Sequence, residues 1–304
     1  MRLAALILVE LLVVCMTKLR RILICTPLKG DIPSTYFKTS LQLATAKLPG
    51  LKLDWTLLEG PAVQMARNEL VAHAREGKFD ELIFWDKDVV ADDEGENVTA
   101  GAIVRLLSHD VDMVCAPYSA RSMTTHWHIQ PLPGEKAAEN GLQKVSRACI
   151  GFSKIKLSVF DRVEQRNPWR KAVLIDPNKN PKPVTEFFPM GVQGKNTPEY
   201  RLKQIQKLME EDFKSNDARV ERIKRELELV YDEPNLFAGE DYWFCDLVRE
   251  AGIDIYLDTF AVMGHLGQAV LPISTKTLVR ALNEPWRQEG IRALKQELAA
   301  QKAQ

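Results

Sequence analysis

Residues 83–94, IFWDKDVVADDE, place three apolar residues directly before a group of acidic ones. An apolar run of this kind indicates a strand that is buried on both faces of a mainly parallel sheet. Open α/β sheets bind their ligands at the carboxyl ends of the strands, where Asp86 and Asp88 would lie. Two carboxylates separated by one residue could hold a divalent cation. They could equally belong to a solvated turn before a helix, so this pattern alone leaves both interpretations open.

A second polar group follows in FAGEDYWFCDLVREAGIDIYLDTFAVMGHLG, residues 237–267. This stretch predicts a helix that opens at Gly239, Glu240 and Asp241, then a short strand, then a loop that contains His265. A carboxylate at a helix N-terminus could act as a general base or could cap the helix. A single loop histidine could ligate a metal or have a structural role.

Strands and helices alternate through the first half of the chain, which predicts right-handed crossovers in a doubly wound α/β sheet. Strands are expected at 22–25, 51–60 and 82–85, and a further strand lies in VDMVCAPYSAR. Helices are expected in STYFKTSLQLATAKL, with Ser34 as a possible cap, in PAVQMARNELVAHAREGKF and at 101–108.

The second half is less regular. KVSRACIGFSKIKLSVFDRV predicts a strand, a glycine-containing turn and a short helix, and residues 176–198 contain five prolines, which favours a loop region. The main domain is predicted to span 18–274, with a solvated helical insertion at 198–231. A helical tail is predicted at 275–304.

Composition indicates a globular chain of 304 residues, with 45% hydrophobic and 27% charged residues. The 41 basic and 41 acidic side chains cancel, so no overall field favours nucleic acid. Between Arg121 and Lys182, however, 12 Lys and Arg outnumber 5 Asp and Glu. This local excess favours a phosphate-bearing or acidic ligand nearby, or it is a solvated basic face.

The cysteines and the N-terminus bear on location. The five cysteines are widely spaced, and none of their spacings is that of a metal site. This pattern indicates buried thiols in a reducing compartment such as the cytoplasm. The five are Cys15, Cys25, Cys115, Cys149 and Cys245. Residues 1–17 are largely apolar but short of the roughly 20 residues that span a bilayer, so no stable membrane span is expected. Translation could begin at Met16, and an N-terminal anchor is the alternative.

The Asp-x-Asp segment, the Gly-Glu-Asp helix start and the His-x-Gly loop occur in an order that resembles glycosyltransferases with the A-type fold. GFSKIKLSVFDRV resembles the Gly-Phe segment that carries acceptor-side residues in this group. QMARNELVAHA resembles its Ala-Arg-Asn helix. The resemblance covers about residues 20–270 and is greatest to single-domain bacterial and viral members.

The resemblance implies a metal-dependent, hexosyltransferase-like enzyme that transfers a sugar from a nucleoside-diphosphate sugar, such as a UDP-sugar, to a hydroxyl with inversion. Asp88 would bind Mn²⁺ or Mg²⁺, Asp86 would bind the metal, its water or the ribose, and His265 would be a third ligand. Asp241 would be the catalytic base, with Glu240 as its neighbour for orientation or acceptor binding.

The donor nucleotide would contact Thr26, Pro27, Arg67 and Arg121, although Arg67 could also form an ordinary helix salt bridge. Lys87 departs from the small residue that is often found between the two aspartates, and it could point away or face the diphosphate. The loop at 126–128, His-Trp-His, could stack on a sugar or pack internally. The acceptor could be a glycan, a protein or a hydroxymethylated viral DNA base. A nucleotidyltransferase, or a non-catalytic carbohydrate- or nucleic-acid-binding protein, remains an alternative.

Overall fold

In a computed structural model of the protein, the described residues are 19–265, except 47, 61, 91–97, 119–128, 176–180, 196, 214, 230–235 and 262. The strands of this part are β1 (Arg20–Leu28), β2 (Leu51–Glu59), β3 (Glu81–Trp85), β4 (Val89–Val90), β5 (Met113–Cys115), β6 (Gln130–Pro131), β7 (Leu142–Arg147), β8 (Phe152–Lys156), β9 (Lys171–Ile175), β10 (Pro181–Thr185), β11 (Gly191–Gln193), β12 (Leu236–Ala238), β13 (Ile255–Asp258) and β14 (Gly264–His265). Its helices are α1 (Ser34–Thr45), α2 (Val63–Glu76), α3 (Val98–Ser108), α4 (Leu157–Arg166), α5 (Pro198–Glu210), α6 (Asn216–Glu228) and α7 (Glu240–Glu250).

Eight strands form the central sheet, in the order β2-β1-β3-β8-β5-β13-β7-β6. β1 pairs in parallel with β2 and β3, and β13 pairs in parallel with β5. β8 lies antiparallel between β3 and β5, and β7 lies antiparallel between β13 and β6. Six of the eight strands therefore point the same way, which confirms the predicted Rossmann-like, mostly parallel α/β sheet.

Helices cover both faces of this sheet. Side chains alternate along a strand, so Leu23 and Phe84 pack on one face, against α2, α4 and α7. Ile24 and Trp85 pack on the other face, against α1 and α3. Because both sets of side chains are buried, β1 and β3 have apolar residues at successive positions, which is the pattern that their sequences show.

Several local predictions need correction. Ser34 is the first residue of α1, and Pro33 occupies the N-cap position. Residues 152–156 form strand β8 in the middle of the sheet, where a glycine-containing turn and the start of a short helix were expected, because Phe152 and Ile155 find buried partners on its two faces. The proline-rich region contains β10 and β11, and the insertion forms two helices, α5 and α6.

The two ends of the chain, 1–18 and 266–304, lie outside the described residues, as does Cys15. The other four cysteines are buried free thiols, as predicted, and burial raises the pKa of each. Within the described part of the chain, none of the helices combines the length and the apolarity that crossing a membrane requires.

Candidate functional site

The Asp-x-Asp segment forms a turn at the carboxyl end of β3. The Val89 amide donates a hydrogen bond to the Asp86 carbonyl (2.9 Å), which closes the turn around Asp88. The Asp86 amide donates to the carbonyl of Gly151 (2.7 Å), which ties the turn to the neighbouring β8 segment. Both aspartates therefore lie where the resemblance and the general rule for α/β sheets predict a ligand.

Lys87, the unusual residue between the two aspartates, is directed towards the loop after β1. Its ammonium group donates to the main-chain carbonyls of Lys29 and Asp31, at 2.5 Å each. Lys87 therefore joins the aspartate turn to the loop after β1.

Thr26 and Pro27, which were predicted to contact the nucleoside, lie at the end of β1. The Thr26 hydroxyl is fully buried, where it donates to the Trp85 carbonyl (2.9 Å) and accepts from the Tyr36 hydroxyl (2.5 Å). Pro27 is partly exposed. A nucleotide at this strand end would meet Pro27, because the Thr26 side chain is used to join β1 to β3 and α1.

His265 is brought to the Asp-x-Asp turn by the main chain. β14 pairs antiparallel with β4, so that His265 lies opposite Val89, the residue that follows Asp88. The two residues are separated by most of the domain in sequence, and this pairing makes them neighbours. The imidazole of His265 lies outside the described part of the structure.

Arg67 is the centre of the site. Its side chain is 2% exposed, and its guanidinium lies near the rings of Phe84 and Phe188, 5.7 and 5.8 Å from their centres. One guanidinium nitrogen donates to Asp241 Oδ1 and, at 3.3 Å, to Glu240 Oε1, and the other donates to Asp86 Oδ2 at 3.1 Å. A single buried cation therefore joins the aspartate turn of β3 to the acidic start of α7.

The charges of this cluster are unbalanced, since three carboxylates surround one guanidinium. Burial alone would lower the pKa of Arg67, but Asp241, Asp86 and Glu240 outweigh it and raise that pKa above the usual range. Burial and the neighbouring Asp241 raise the pKa of Glu240, against the opposing effect of Arg67. The excess of negative charge favours a further cation close to these residues.

Asp241 does not cap its helix. The N-cap position of α7 belongs to Gly239, and no side chain makes a capping hydrogen bond there. Instead, Asp241 Oδ2 accepts a hydrogen bond from the main-chain amide of Ile150 (3.1 Å), and Oδ1 accepts from Arg67. The carboxylate is thus oriented from two sides, while its side chain remains 23% exposed.

The donor types fit Mn²⁺ or Mg²⁺, since carboxylate oxygens and an imidazole are suitable ligands. In the part of the chain that the structure describes, however, no group of three or more His, Cys, Asp or Glu residues is arranged to hold a metal ion. The Asp86 carboxylate is engaged by Arg67, and Asp88 and His265 are the further ligands that the resemblance implies. The metal site therefore stays a prediction.

Three residues at the site were missed as functional candidates. The Gly151 amide donates to the Tyr118 hydroxyl (3.0 Å), and a Cβ at Gly151 would lie only 2.4 Å from Asp86 Oδ2. Asn68 Oδ1 accepts from the amides of Phe187 and Phe188 (2.8 and 3.1 Å), which positions Phe188 near Arg67. Gly151 belongs to the Gly-Phe segment and Asn68 to the Ala-Arg-Asn segment. The sequence motifs therefore included both residues but did not indicate which residues they contact.

Known proteins add little to this geometry. No protein-family model matches the chain, and no curated protein matches it either. Among solved structures, the crystal structure of A197 from STIV is similar. The TM-score is 0.34 and the identity 17%, over 47% of this chain and 67% of that chain. At these values the likeness supports no assignment.

The structure therefore brings together Arg67, Asp86, Glu240 and Asp241 by contact, and places the His265 main chain beside the turn that carries Asp88. Arg67 was predicted to contact the donor, and its described partners are the carboxylates. Arg121 and the His-Trp-His loop lie outside the described residues.

Proposed function

We propose that this chain is a metal-dependent, inverting glycosyltransferase that uses a nucleoside-diphosphate sugar, such as a UDP-sugar, and a hydroxyl acceptor. The observation that supports this most is the contact of Asp86 and Asp241 with one buried arginine. It joins two of the three motifs on which the resemblance rests. The β14–β4 pairing supports a common site for the third motif, that of His265.

Asp88 and His265 are the residues that would hold Mn²⁺ or Mg²⁺, with Asp86 beside them for the ribose or for metal-bound water. A divalent cation bound there would neutralise charge on the leaving diphosphate. Pro27, Arg67 and Arg121 are the proposed residues on the donor side. Arg67 would act there by fixing Asp86, which it contacts.

Asp241 is the proposed general base. The acceptor oxygen forms a bond to the anomeric carbon as the bond from that carbon to the diphosphate breaks, and the leaving diphosphate keeps the electron pair. Asp241 takes the proton of the acceptor hydroxyl. Each carboxylate oxygen has two lone-pair positions, so the hydrogen bonds from Arg67 and Ile150 leave Asp241 able to accept that proton. Glu240, whose pKa is raised, is the second candidate for the general base.

The acceptor class in this proposal is a hydroxyl of a glycan, a protein or a hydroxymethylated base. A cytoplasmic location belongs to the same proposal and is supported by the four buried free thiols.

The test is release of nucleoside diphosphate from a panel of nucleotide sugars, with and without Mn²⁺. We expect Mn²⁺-stimulated release from at least one donor. Asp88→Ala should abolish it with an unchanged Tm, because Asp88 is partly exposed at a strand end and its removal opens no core cavity. Asp217→Ala, at an exposed position of α6, is the matched control and should retain activity.

Two results would contradict the proposal. Pyrophosphate release from a nucleoside triphosphate and a sugar phosphate, without hydrolysis of any nucleotide sugar, would indicate a nucleotidyltransferase. Manganese-stimulated activity that persists in Asp88→Ala would contradict the assignment of Asp88 as a metal ligand.

A further inference from the structure

A groove lies between the helical insertion and α7. It encloses about 600 Å³, within the range of roughly 300–1,000 Å³ that is usual for ligand sites. Its walls come from α5, from α7 and from the segment that follows β11. The side chains that matter here are Gln193, Tyr200, Lys203, Gln204, Trp243 and Glu250.

The groove lies beside α7, and its lining on this helix begins at Trp243, three residues after Glu240. Residues three and seven positions apart lie on one face of a helix, so Glu240, Trp243 and Glu250 share a face, and the last two line the groove. β12 ends directly before Gly239 and pairs antiparallel with β11, so that Gly191 lies opposite Ala238 and Gln193, which lines the groove, lies opposite Leu236. A chain lying in the groove could therefore present its end to Glu240 and Asp241.

The chemistry of the lining matches a sugar chain. A pyranose ring has an apolar C–H face, which packs on aromatic rings, and hydroxyls at its edge, which bond to amides and carboxylates. Tyr200 and Trp243 supply aromatic rings, the second of which packs against the core and has Arg170 over it, 5.2 Å from the ring centre. Gln193 and Gln204 supply amides that both donate and accept.

The charges of the lining favour a neutral chain. The two acidic side chains of the lining are both paired, Glu250 with Lys203 (2.6 Å) and Asp246 with Arg147 (2.7 Å). The lining as a whole contains three basic and two acidic side chains, so it does not form the strongly positive surface that a polyanion requires.

We propose that this groove binds the acceptor, and that the acceptor is a neutral oligosaccharide whose terminal hydroxyl reaches the acidic start of α7. The inference rests on the proposed glycosyltransferase function and narrows its acceptor from three classes to one. The helical insertion then forms one wall of the acceptor site.

Gln204 and Gln206 offer a matched pair for the test. Both lie on α5, two residues apart and hence on nearly opposite sides of the helix, and Gln204 lines the groove while Gln206 is exposed. Gln204→Trp would fill the groove, and Gln206→Trp makes the same change at the surface. Gln204→Leu, which removes the amide with little change in volume, serves if the larger side chain impairs folding.

Three readouts are needed on the full chain: binding to an array of neutral and acidic oligosaccharides, transfer to the bound oligosaccharide, and hydrolysis of the nucleotide sugar by water. We expect the wild type to bind a neutral class, and Gln204→Trp to bind and use it at least about tenfold less well. Gln206→Trp should match the wild type in all three readouts, including hydrolysis of the nucleotide sugar by water.

The groove proposal is overturned if Gln204→Trp and Gln204→Leu bind and transfer as the wild type does. It is also overturned if the wild type binds only acidic chains or none. Hydrolysis of a nucleotide sugar without glycan binding would contradict the groove proposal and support the glycosyltransferase proposal. Glycan binding that depends on Gln204, without hydrolysis of any nucleotide sugar, would support the groove as a glycan site and contradict the glycosyltransferase proposal.

Discussion

Arg67 and Asp241 are 174 residues apart in sequence, and the guanidinium of the first donates directly to the carboxylate of the second. Since Arg67 also bonds to Asp86, the start of α7 is held in position relative to the end of β3. The arrangement of the candidate catalytic residues therefore depends on one side chain that is buried in the domain.

Replacement of Arg67 should destabilise the protein strongly. Arg67→Met would leave Asp86, Glu240 and Asp241 without their common cation, and breaking a buried ion pair in this way typically costs about 3–5 kcal/mol. Chemical denaturation would measure the loss. Arg67→Lys should be less harmful, because it keeps the charge but not the forked geometry.

Arg166→Met is the control for Arg67, because Arg166 is exposed near the end of α4 and a surface change usually alters stability by less than about 0.5 kcal/mol. A loss of less than about 1 kcal/mol in the free energy of unfolding of Arg67→Met would show that the contacts of Arg67 with the three carboxylates do not hold the fold together.

Asp241→Asn should separate chemistry from structure. The asparagine oxygen can still accept from the Ile150 amide, but its amide nitrogen would then face the Arg67 guanidinium. We therefore expect a lower Tm, with Asp86 and Glu240 still paired to Arg67 and donor binding retained. A neutral amide cannot take the acceptor proton, and loss of a general base typically slows a reaction by about 10²–10⁴. Sugar transfer measured at saturating donor should fall by at least about a hundredfold.

Asp254→Asn is the matched control for Asp241→Asn, because Asp254 forms an exposed ion pair with Lys144 at 2.7 Å, away from the site. Near-parental transfer by Asp241→Asn would move the base elsewhere, with Glu240 tested next.

The raised pKa of Glu240 predicts a pH-dependent stability. Burial and the proximity of Asp241 raise this pKa, so the folded state binds the proton more tightly than the unfolded state. The resulting stabilisation is complete below the ordinary pKa of Glu and is lost as the pH rises through the raised value. Glu240→Gln does not titrate, so its Tm should rise relative to the wild type between pH 4 and pH 8.

Thermal unfolding of the two proteins across this pH range would measure the difference. Glu228→Gln, at the exposed end of α6, is the control. A Tm difference for Glu240→Gln that stays constant, or that shrinks as the pH rises, would contradict the assignment.

Gly151 should tolerate no side chain. A Cβ there would lie 2.4 Å from Asp86 Oδ2 and 2.5 Å from the Tyr118 hydroxyl, and inserting such an atom into a packed site typically costs about 1–3 kcal/mol. We expect Gly151→Ala to lower the Tm and to reduce Mn²⁺-stimulated donor hydrolysis, since Asp86 must move.

Gly101→Ala provides the comparison, because Gly101 is exposed within α3 with open space around it. Alanine at such a helix position should stabilise by about 0.5–1 kcal/mol. Equal effects of the two substitutions would show that Gly151 does not shape the site.

The positions of Asp86 and Asp241 in the fold could be predicted, because they depend on local patterns. The apolar run before Asp86 favours a strand covered on both faces, and the periodicity after Asp241 is that of an amphipathic helix. Strand β8 was missed because its residues continue directly into helix α4, and a short apolar run fits either state until its neighbours are known.

The sequence by itself thus determined the alternation of strands and helices in the first half of the chain, the α/β class and the places where polar residues end apolar segments. Only the tertiary structure decided that Arg67 faces the carboxylates, that Lys87 bonds to the loop after β1, and that Gly151 lies against Asp86. Local patterns report which face of an element is buried, because burial of apolar surface follows helix and strand periodicity. The partner of a buried charge depends on contacts between residues far apart in the chain, and these exist only after the sheet and its helices have packed.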